Sequence, residues 1–504
     1  MSKFYITTAI DYVNSIPHIG TAYEKIAADA IARYKRLAGF DTRFLMGNDE
    51  HSTNVEKAAR EKGLDPKVYC DQMAEIFQAV WKRLDISYDD FIRTTEPRHI
   101  RGVQELFRRI AANGDIYKGK YEGFYCVGCE RFYPEKELVD GLCPNHKTKP
   151  EWVTEENWFF RLSAYRDRLL ELYAKHPRFL VPDIRRNEIL NVIEGGLQDT
   201  SVSRASTWGI PLPDDPSQRV YVWFDALINY ITGVGFPDTD GLWRYWPADL
   251  HVIGKDITRF HCITWPAMLM SAGVPLPQSI LGHGFVLFQG EKLSKSLGNI
   301  VNPLDVVEKF GADSLRYYLL KEVPLSRDGD FTWELFIQRY NSDLANDWGN
   351  LFTRTVSMIH RYREGRLARA EAGPELLALL RTSLHDYHEA MERYALEEGI
   401  EAAWSLIRRA NQMVEEGAPW KLAKDPAKAG ELDALLGELA VALQHTAILL
   451  FPIMPSTARK VWETLRLSPA IEAARHPAAG SLLPPPPLGV ALGESRPLFP
   501  RIET

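Results

Sequence analysis

The first hundred residues alternate short apolar runs with longer stretches in which apolar side chains recur every three or four positions. Residues 4–10 (FYITTAI) and 42–47 (TRFLMG) predict two short buried strands. Helical patterns lie between and after them, at residues 22–37, 55–62 and 67–84. The first of these predicted helices has one apolar stripe, made of Ala22, Ile26, Ala27, Ala30, Ile31, Tyr34 and Leu37. This alternation predicts an α/β fold with a doubly wound parallel sheet of the Rossmann type.

The pattern changes near residue 113. Residues 117–152 are rich in aromatic residues, glycine and cysteine, which predicts small β-hairpins around a metal. A β/α pattern returns at residues 219–227 (RVYVWFDAL) and 250–256 (LHVIGKD). We therefore expect one α/β domain that is interrupted by an insertion.

From residue 333 to about residue 465 the periodicity is helical, which predicts an all-α bundle. A proline-rich stretch, SLLPPPPLG, follows it. The predicted organisation is a first Rossmann half at 1–113, an insertion with a zinc knuckle at 114–216, a second Rossmann half at 217–280, a connector at 281–335, a helical bundle at 336–470 and a proline-rich tail at 471–504.

Composition narrows the class of protein only a little. The chain has 60 Lys and Arg against 67 Asp and Glu, a formal net charge of −7, which argues against a surface coated with basic charge for nucleic acid. A local basic face is still possible. The N-terminus is too short and too polar for a signal peptide, and we expect no window to approach the roughly 20 apolar residues of a membrane span. We expect a cytoplasmic protein.

Three of the five cysteines are clustered with a histidine. Cys126 and Cys129 form a C-x-x-C knuckle, and Cys143 and His146 form a C-x-x-H knuckle after it. These four ligands suit tetrahedral zinc, and they leave no open position for catalysis. We predict one structural zinc per chain, with a disulfide as the weaker alternative. The remaining cysteines, Cys70 and Cys262, are predicted to be buried thiols.

Two short motifs suggest a phosphate site. In PHIGT, residues 17–21, a helix N-terminus can bind an anion, Gly20 lets the backbone approach it and His18 can donate a hydrogen bond. In an alternative interpretation, Thr21 and Glu24 form a T-x-x-E capping box. The second motif, KLSKS, places Lys292 and Lys295 on a loop that can close on a polyphosphate.

Taken in this order, the two motifs resemble the HIGH and KMSKS signatures of the class I aminoacyl-tRNA synthetases. Thr21 replaces the second histidine, and Leu293 replaces methionine. The segments TTAIDYVNSIPHIG, GNDEH, YVWFDALINY, HVIGKDITRFHCITWPAM and EEGAPWKLAK resemble the methionyl-tRNA synthetases in particular. The resemblance implies a methionine–tRNA ligase that uses ATP and Mg²⁺ and acts on tRNA(Met), including the initiator. The dimerisation domain that some members append is not seen, so a monomer is expected.

The resemblance also implies roles for individual residues. The catalytic residues are His18, Thr21, Lys292 and Lys295. The ATP-binding residues are His18, Gly20, Gly254, Asp256, His283, Gly284, Val286 and Lys295. The methionine-binding residues are Ile10, Tyr12, Asp49, Trp223, Ala226, Leu227, Tyr230, Phe260 and His261. The anticodon-binding residues are Asn350, Arg354 and Trp420. A thioether suits such a pocket, because aromatic faces and aliphatic walls hold a soft, unbranched group well.

Three alternatives differ from this interpretation in identifiable ways. A class I synthetase for branched amino acids usually carries a far longer editing insertion. A nucleotidyltransferase outside translation shares the histidine motif but does not need a helical bundle or a zinc knuckle. A catalytically dead tRNA-binding relative would explain Thr21 as decay, but the KLSKS motif and the pocket residues argue against it.

Overall fold

The computed structural model describes residues 2–127, 131–133, 135–144, 147–239, 241–292, 301–477 and 481–503. Its N-terminal part alternates strands and helices, as predicted. The strands are β1 (Lys3–Thr8), β2 (Asp11–Tyr12), β3 (Asp41–Asp49) and β4 (Asp90–Arg93). The helices are α1 (Ile19–Leu37), α2 (Thr53–Glu61), α3 (Pro66–Arg83) and α4 (Pro97–Ala112). The apolar stripe of α1 is confirmed as core, since each of its seven side chains is buried.

The chain then forms a second, antiparallel sheet. Its long strands β5 (Ile116–Cys126) and β7 (Glu151–Phe160) pair with each other, and β6 (Arg131–Tyr133) and β9 (Thr200–Ser201) pair at the two edges. The other elements of this region are α5 (Arg166–Lys175), β8 (Leu180–Val181), α6 (Asp183–Glu194), β10 (Ser203–Arg204) and β11 (Arg219–Val220).

The first sheet is completed by strands from later in the chain. The next elements are α7 (Val222–Leu227), α8 (Asn229–Thr232), β12 (Leu250–Gly254), α9 (Trp265–Ala272) and β13 (Ile280–His283). The strand order is β2-β3-β1-β12-β13-β8, with β4 also paired to β3, and every pairing is parallel. The prediction of an α/β fold with a parallel sheet is therefore confirmed. The short strand β8 returns to this sheet between α5 and α6.

A three-stranded sheet, two helices and a long helical segment follow. The strands are β14 (Val286–Phe288), β15 (Glu291–Lys292) and β16 (Gly329–Phe331), and the first helices are α10 (Pro303–Phe310) and α11 (Ala312–Glu322). The later helices are α12 (Trp333–Arg339), α13 (Asn350–Arg363), α14 (Pro374–Glu392), α15 (Leu396–Gly417), α16 (Pro419–Leu422), α17 (Ala429–Leu450) and α18 (Pro455–Thr464). A π-helical segment, Tyr340–Gly349, joins α12 to α13.

One helical stretch, Pro426–Leu450, is long and apolar enough by composition to cross a membrane. The expectation that no window would meet this test was therefore wrong. The stretch is 78% buried inside the protein, where α17 packs against α13, α14, α15, α16 and α18. It is apolar because it is the central helix of this segment.

Candidate active site

A cavity of about 410 Å³ lies where β1, β3, β12 and β13 end. Ligands of open parallel sheets bind at this edge, outside the carboxyl ends of the strands. All nine residues predicted to bind methionine line this cavity: Ile10, Tyr12, Asp49, Trp223, Ala226, Leu227, Tyr230, Phe260 and His261. The same cavity is lined by His18, Gly20, Thr21, Gly254, Asp256, His283, Gly284 and Val286 from the predicted ATP and catalytic sets.

His18 is the N-cap of α1. Its Nδ1 accepts the backbone N–H groups of Gly20 at 3.0 Å and Thr21 at 3.3 Å, two of the four N–H groups that a helix start leaves without helical partners. Because Nδ1 accepts, the ring carries its proton on Nε2. The capping interaction thus sets the tautomer that offers a donor to an anion.

The alternative that Thr21 caps this helix with Glu24 is wrong. The helix begins at Ile19, so Thr21 already lies inside its first turn, while Glu24 is buried and bonds elsewhere. The histidine starts the helix earlier, because its Nδ1 accepts from the backbone N–H groups of Gly20 and Thr21. Thr21 lines the cavity beside Gly20.

A buried group of charges lies below the helix start. Lys25 Nζ is 2.8 Å from Glu24 Oε1, 3.1 Å from Asp11 Oδ1 and 2.8 Å from the carbonyl oxygen of Ala9. Burial acts to raise the pKa of Glu24, but Lys25 and a hydrogen bond from His283 outweigh it and lower that pKa to about 2. Burial raises the pKa of Asp11 to about 7, against the opposing effect of Lys25.

Aromatic rings form one wall of the cavity. Trp223, on α7, is stacked on Phe260, which starts a π-helical segment, Phe260–Thr264, leading into α9. The ring of Tyr12 meets Trp223 edge to face, with centroids 6.2 Å apart. This wall can hold an apolar, polarisable group.

A tyrosine and a histidine lie deeper in the pocket. The Tyr230 hydroxyl is 2.7 Å from His261 Nε2, and His261 Nδ1 is 3.0 Å from the carbonyl oxygen of Ile257. Burial lowers the pKa of His261 to about 4, against smaller opposing effects. The ring is therefore neutral near pH 7, so Nδ1 donates to the carbonyl and Nε2 accepts from the hydroxyl.

Two glycines on the opposite side allow close approaches. A Cβ on Gly254 would lie 2.7 Å from Asp256 Oδ1, and a Cβ on Gly284 would lie 2.2 Å from the carbonyl oxygen of Arg327. Asp328 fixes this wall, because it accepts from the backbone N–H of Phe285 at 2.8 Å and pairs with Lys255 at 2.7 Å. The ends of β12 and β13 are thus packed against residues 327 and 328.

The second predicted motif is only partly described. Lys292 ends β15, but its side chain and all of Lys295 lie outside the described part of the structure. Six residues that were not predicted as site residues also line the cavity: Ala9, Asp11, Glu24, Tyr133, Ile257 and Phe285. Asp11 stands within the segment TTAIDYVNSIPHIG and could have been included, whereas Glu24 entered only as a capping partner. Nothing in the sequence pointed to Tyr133.

Tyr133 connects the cavity to two of the predicted zinc ligands. Cys126 and Cys143 are buried and form a small cluster with Tyr133, against which Leu138 packs. Cys129 and His146, the other two predicted ligands, lie outside the described residues, and the described ones contain no group of three metal-ligating side chains. Two buried thiols brought together from separate knuckles fit a zinc site. Cys70 and Cys262 are buried thiols, as predicted.

The predicted anticodon residues lie in the helical segment. Asn350 is exposed at the start of α13, and Arg354 lies one turn later on the same helix. Arg354 Nη1 pairs with Glu415 Oε1 at 2.7 Å, which ties α13 to the end of α15. Trp420 follows on α16 with 39% of its surface exposed. The exposed indole is unlike an ordinary core tryptophan.

Comparisons with known proteins agree with this geometry. The family model for tRNA synthetases class I (M) matches residues 4–149 and 145–356. A methionine–tRNA ligase from Caldanaerobacter subterraneus subsp. tengcongensis is 46% identical over 507 residues, which span 99% of this chain and 79% of the relative. One from Thermotoga maritima is 47% identical over 470 residues, 91% of this chain and 75% of the relative.

Among solved structures, methionyl-tRNA synthetase from Mycobacterium tuberculosis in complex with methionyl-adenylate superimposes with a TM-score of 0.94. It is 44% identical in sequence, and the match covers 99% of this chain and 100% of that one. A structure of the ligand-free Mycobacterium tuberculosis enzyme superimposes with a TM-score of 0.87 at 41% identity, covering 100% of this chain and 99% of that one. The chain therefore belongs to the methionine–tRNA ligase family of class I tRNA synthetases.

Proposed function

We propose that the chain activates L-methionine with ATP, giving methionyl-adenylate and pyrophosphate, and then transfers methionine to the 3′-terminal ribose of tRNA(Met), including the initiator. The observation that carries this proposal is the cavity at the strand ends. It brings an aromatic pocket and a helix N-terminus together in one space, although their residues come from segments more than 200 positions apart. A relative that superimposes on this chain with a TM-score of 0.94 was solved with methionyl-adenylate.

In the methionine half, Trp223, Phe260 and Tyr12 hold the thioether between aromatic surfaces. Tyr230 and His261 lie at the pocket's buried end, where burial keeps both groups neutral and their mutual hydrogen bond orients them. Asp49 ends β3 beside the cavity and meets the methionine ammonium group. A buried carboxylate opposite an ammonium fixes which end of the amino acid faces ATP.

In the ATP half, the start of α1 faces the phosphates. Its N–H groups and its dipole favour negative charge there, and His18 Nε2 donates to a phosphoryl oxygen. Asp256 accepts from the ribose hydroxyls, and residues 283–286 lie beside adenine. Mg²⁺ accompanies ATP, because this ion is bound in such sites mainly by substrate phosphates and water.

The first reaction is an in-line displacement at phosphorus. A carboxylate oxygen of methionine bonds to the α-phosphorus as the bond to the bridging oxygen breaks, and pyrophosphate leaves with that electron pair. His18, Thr21, Lys292 and Lys295 offset the charge that grows on the phosphoryl oxygens. In the second reaction a ribose hydroxyl attacks the methionyl carbonyl and AMP leaves. Positioning supplies much of the rate, since no covalent enzyme intermediate is needed.

The remaining proposals concern the other parts of the chain. Residues 114–216 form a connective insertion, in which Cys126, Cys129, Cys143 and His146 hold one structural zinc. When bound, the zinc cross-links the two knuckles. The helical segment at 336–470 is the anticodon-binding bundle, where Trp420 stacks a base while Asn350 and Arg354 read base edges. We propose a cytoplasmic monomer.

The first test is methionine-dependent ATP–pyrophosphate exchange without tRNA, with the other amino acids as controls. We expect exchange with methionine alone. A folded, zinc-loaded chain that shows no exchange, yet binds tRNA(Met), would instead support the catalytically dead alternative.

Thr21 is tested in the same assay by a matched pair of variants. We propose that its hydroxyl donates to a phosphoryl oxygen directly or through water, a role that the resemblance to the HIGH signature implies for this position. Thr21→Val keeps the shape but removes the donor, so exchange should slow by about 10-fold, less than the full loss of a transition-state donor. Thr21→Ser should keep most of the rate. Equal rates for Thr21→Val and the unaltered chain would contradict this role.

A further inference from the structure

Asp225 lies behind the methionine side of the cavity, with its carboxylate fully buried between two histidines. His51 Nδ1 is 2.7 Å from Oδ2, and His99 Nε2 is 2.7 Å from Oδ1. An ionised carboxylate only accepts hydrogen bonds, so each ring donates an N–H to it. Burial acts to raise the pKa of Asp225, but the two histidines outweigh it and lower that pKa. The carboxylate is therefore an anion held by two donors from distant parts of the chain.

The geometry of α7 places this anion on the back of the pocket wall. Residues of an α-helix are about 100° apart, so Trp223, Ala226 and Leu227 share one side. That side lines the cavity. Asp225 is about 200° from Trp223 around the axis and points away from the cavity, into the protein. It is not among the residues that line the cavity.

Through His51, Asp225 reaches the other wall of the pocket. His51 comes two residues after Asp49, which lines the cavity at the end of β3. Glu50, the residue between them, is held by Arg93, whose Nε and Nη2 lie 2.7 Å and 3.2 Å from its carboxylate oxygens. The indole N–H of Trp208 also donates to the carbonyl oxygen of Glu50 at 2.7 Å. The contact with Asp225 is what joins this anchored segment to α7.

Through His99, Asp225 reaches α8 as well. His99 Nδ1 is 2.9 Å from the Thr232 hydroxyl, two residues beyond Tyr230 of the pocket. Here α4 and α8 touch directly, since a Cβ on Gly102 would lie 2.2 Å from Thr232 Cγ2. One carboxylate is thus linked to three elements that carry pocket residues: the end of β3, α7 and α8.

We infer that Asp225 is a positioning residue for methionine recognition. Through His51 it sets the spacing between Asp49 and the aromatic wall. Through His99 it sets the placement of Tyr230. The inference rests on the proposed function, because it assigns a role in that same pocket. Asp225 does not touch the reacting atoms. Its effect should appear in methionine binding, because among the described residues no hydrogen bond joins Asp225, His51 or His99 to His18, Asp256 or His283 of the ATP half.

The test compares variants at both ends of the His51–Asp225 bond. Asp225→Asn removes the charge and turns one acceptor into a donor that faces an N–H. His51→Leu removes the donor, while His51→Asn keeps an N–H near the position of Nδ1. We expect KM for methionine in ATP–pyrophosphate exchange to rise about 10- to 100-fold for Asp225→Asn and His51→Leu, which is the usual range for a lost hydrogen bond to a charged group. His51→Asn should stay within about threefold of the unaltered chain.

Three measurements separate positioning from a general loss of stability. KM for ATP should change by less than about twofold in every variant, and methionine binding by calorimetry should follow KM for methionine. His445→Leu, which removes a buried histidine in α17 far from the cavity, is the matched control for His51→Leu and should change neither KM. If Asp225→Asn fails to fold, the two His51 variants still decide the question.

The outcomes are distinguishable. If the unaltered chain exchanges with methionine but KM for methionine is unchanged in both Asp225→Asn and His51→Leu, the positioning role is overturned and the proposed function stands. Equal increases in KM for methionine and for ATP would indicate a structural role only and would also overturn it. An unaltered, folded chain that binds no methionine overturns the proposed function, and this inference with it.

Discussion

The indole ring of Trp223 lies flat against the phenyl ring of Phe260, with centroids 3.9 Å apart and planes 3° from parallel. The two rings come from different elements, α7 and the π-helical segment after β12, and both line the cavity. Each ring therefore fixes the other's place in the wall. A methionine side chain gains most from a wall that is already ordered, because less side-chain entropy is lost on binding.

The first prediction concerns this stacked pair. Phe260→Leu keeps the site apolar but removes the face on which Trp223 rests, so KM for methionine should rise about 10-fold while KM for ATP is unchanged. Phe451→Leu, at a buried phenylalanine just after α17, is the matched control. Steady-state exchange kinetics provide both constants. A parallel increase in KM for ATP would contradict the assignment of Phe260 to the methionine half.

The second prediction separates the two roles of His18. Asparagine is a good N-cap but lacks the Nε2 donor, whereas alanine lacks both functions. We expect His18→Asn to unfold at nearly the same temperature as the unaltered chain, with exchange slowed about 100-fold, as expected for a lost transition-state donor. His18→Ala should slow exchange to the same extent and should also lower the free energy of unfolding by about 1 kcal/mol. Thermal unfolding and exchange rates measure the two effects separately, and a fast His18→Asn enzyme would exclude the donor role.

The third prediction concerns the zinc site. Tyr133 packs in one cluster with Cys126 and Cys143 and also lines the cavity, and Arg259 Nη1 pairs with Glu137 at 3.0 Å next to Phe260. Disturbing the cysteine cluster should therefore reach the active site. We expect one zinc per chain by atomic absorption, and Cys143→Ser should lose it, lower the unfolding temperature and slow exchange. Cys70→Ser, at a buried thiol outside the cluster, should retain the zinc. A metal-free chain that is fully stable would contradict a structural zinc.

Much of the fold could be predicted from the sequence, because hydrophobic periodicity reports directly on which side chains face a core. The helix at 22–37 and the strand at 42–47 are examples, although both elements extend by a few residues. The helix begins earlier because the cap is a histidine, a residue type that is not a usual capping signal. The short strand β8 could not be predicted, because a strand of two residues is too short to show an alternation of apolar and polar side chains.

The pocket residues could be predicted only through the resemblance to a family, because an aromatic residue taken alone is more often core. Asp225 and His99 had no signal at all. Their roles depend on three elements meeting in space, and nothing along the chain records that a carboxylate at 225 faces imidazoles at 51 and 99. Lys25 illustrates the same limit, since a fully buried lysine in a helix is evident only once its two carboxylate partners are placed.

The fourth prediction is a pH dependence at His261. Its pKa is lowered from 6.5 to about 4 in the folded chain, so the unfolded chain takes up this proton more readily. The stabilisation from the neutral ring is complete above pH 6.5 and is lost as the pH falls through 4. Between pH 7 and pH 4.5 the free energy of unfolding should therefore fall by about 2 kcal/mol more for the unaltered chain than for His261→Gln. Chemical unfolding at the two pH values measures this difference, and equal decreases would contradict a buried neutral ring.

The last prediction separates recognition of tRNA from amino-acid activation. Trp420 is 39% exposed on α16, and the Arg354–Glu415 ion pair holds α13 against the end of α15 nearby. Base stacking on an aromatic ring contributes about 1–3 kcal/mol. Trp420→Ala should therefore lower kcat/KM for tRNA(Met) in aminoacylation about 10- to 100-fold, while exchange without tRNA is unchanged. Leu488→Ala, which trims another exposed apolar side chain, is the control. Because the bundle and the cavity share one chain, a loss of exchange in Trp420→Ala would reveal a folding defect, and unchanged aminoacylation would mean that Trp420 does not contact the anticodon.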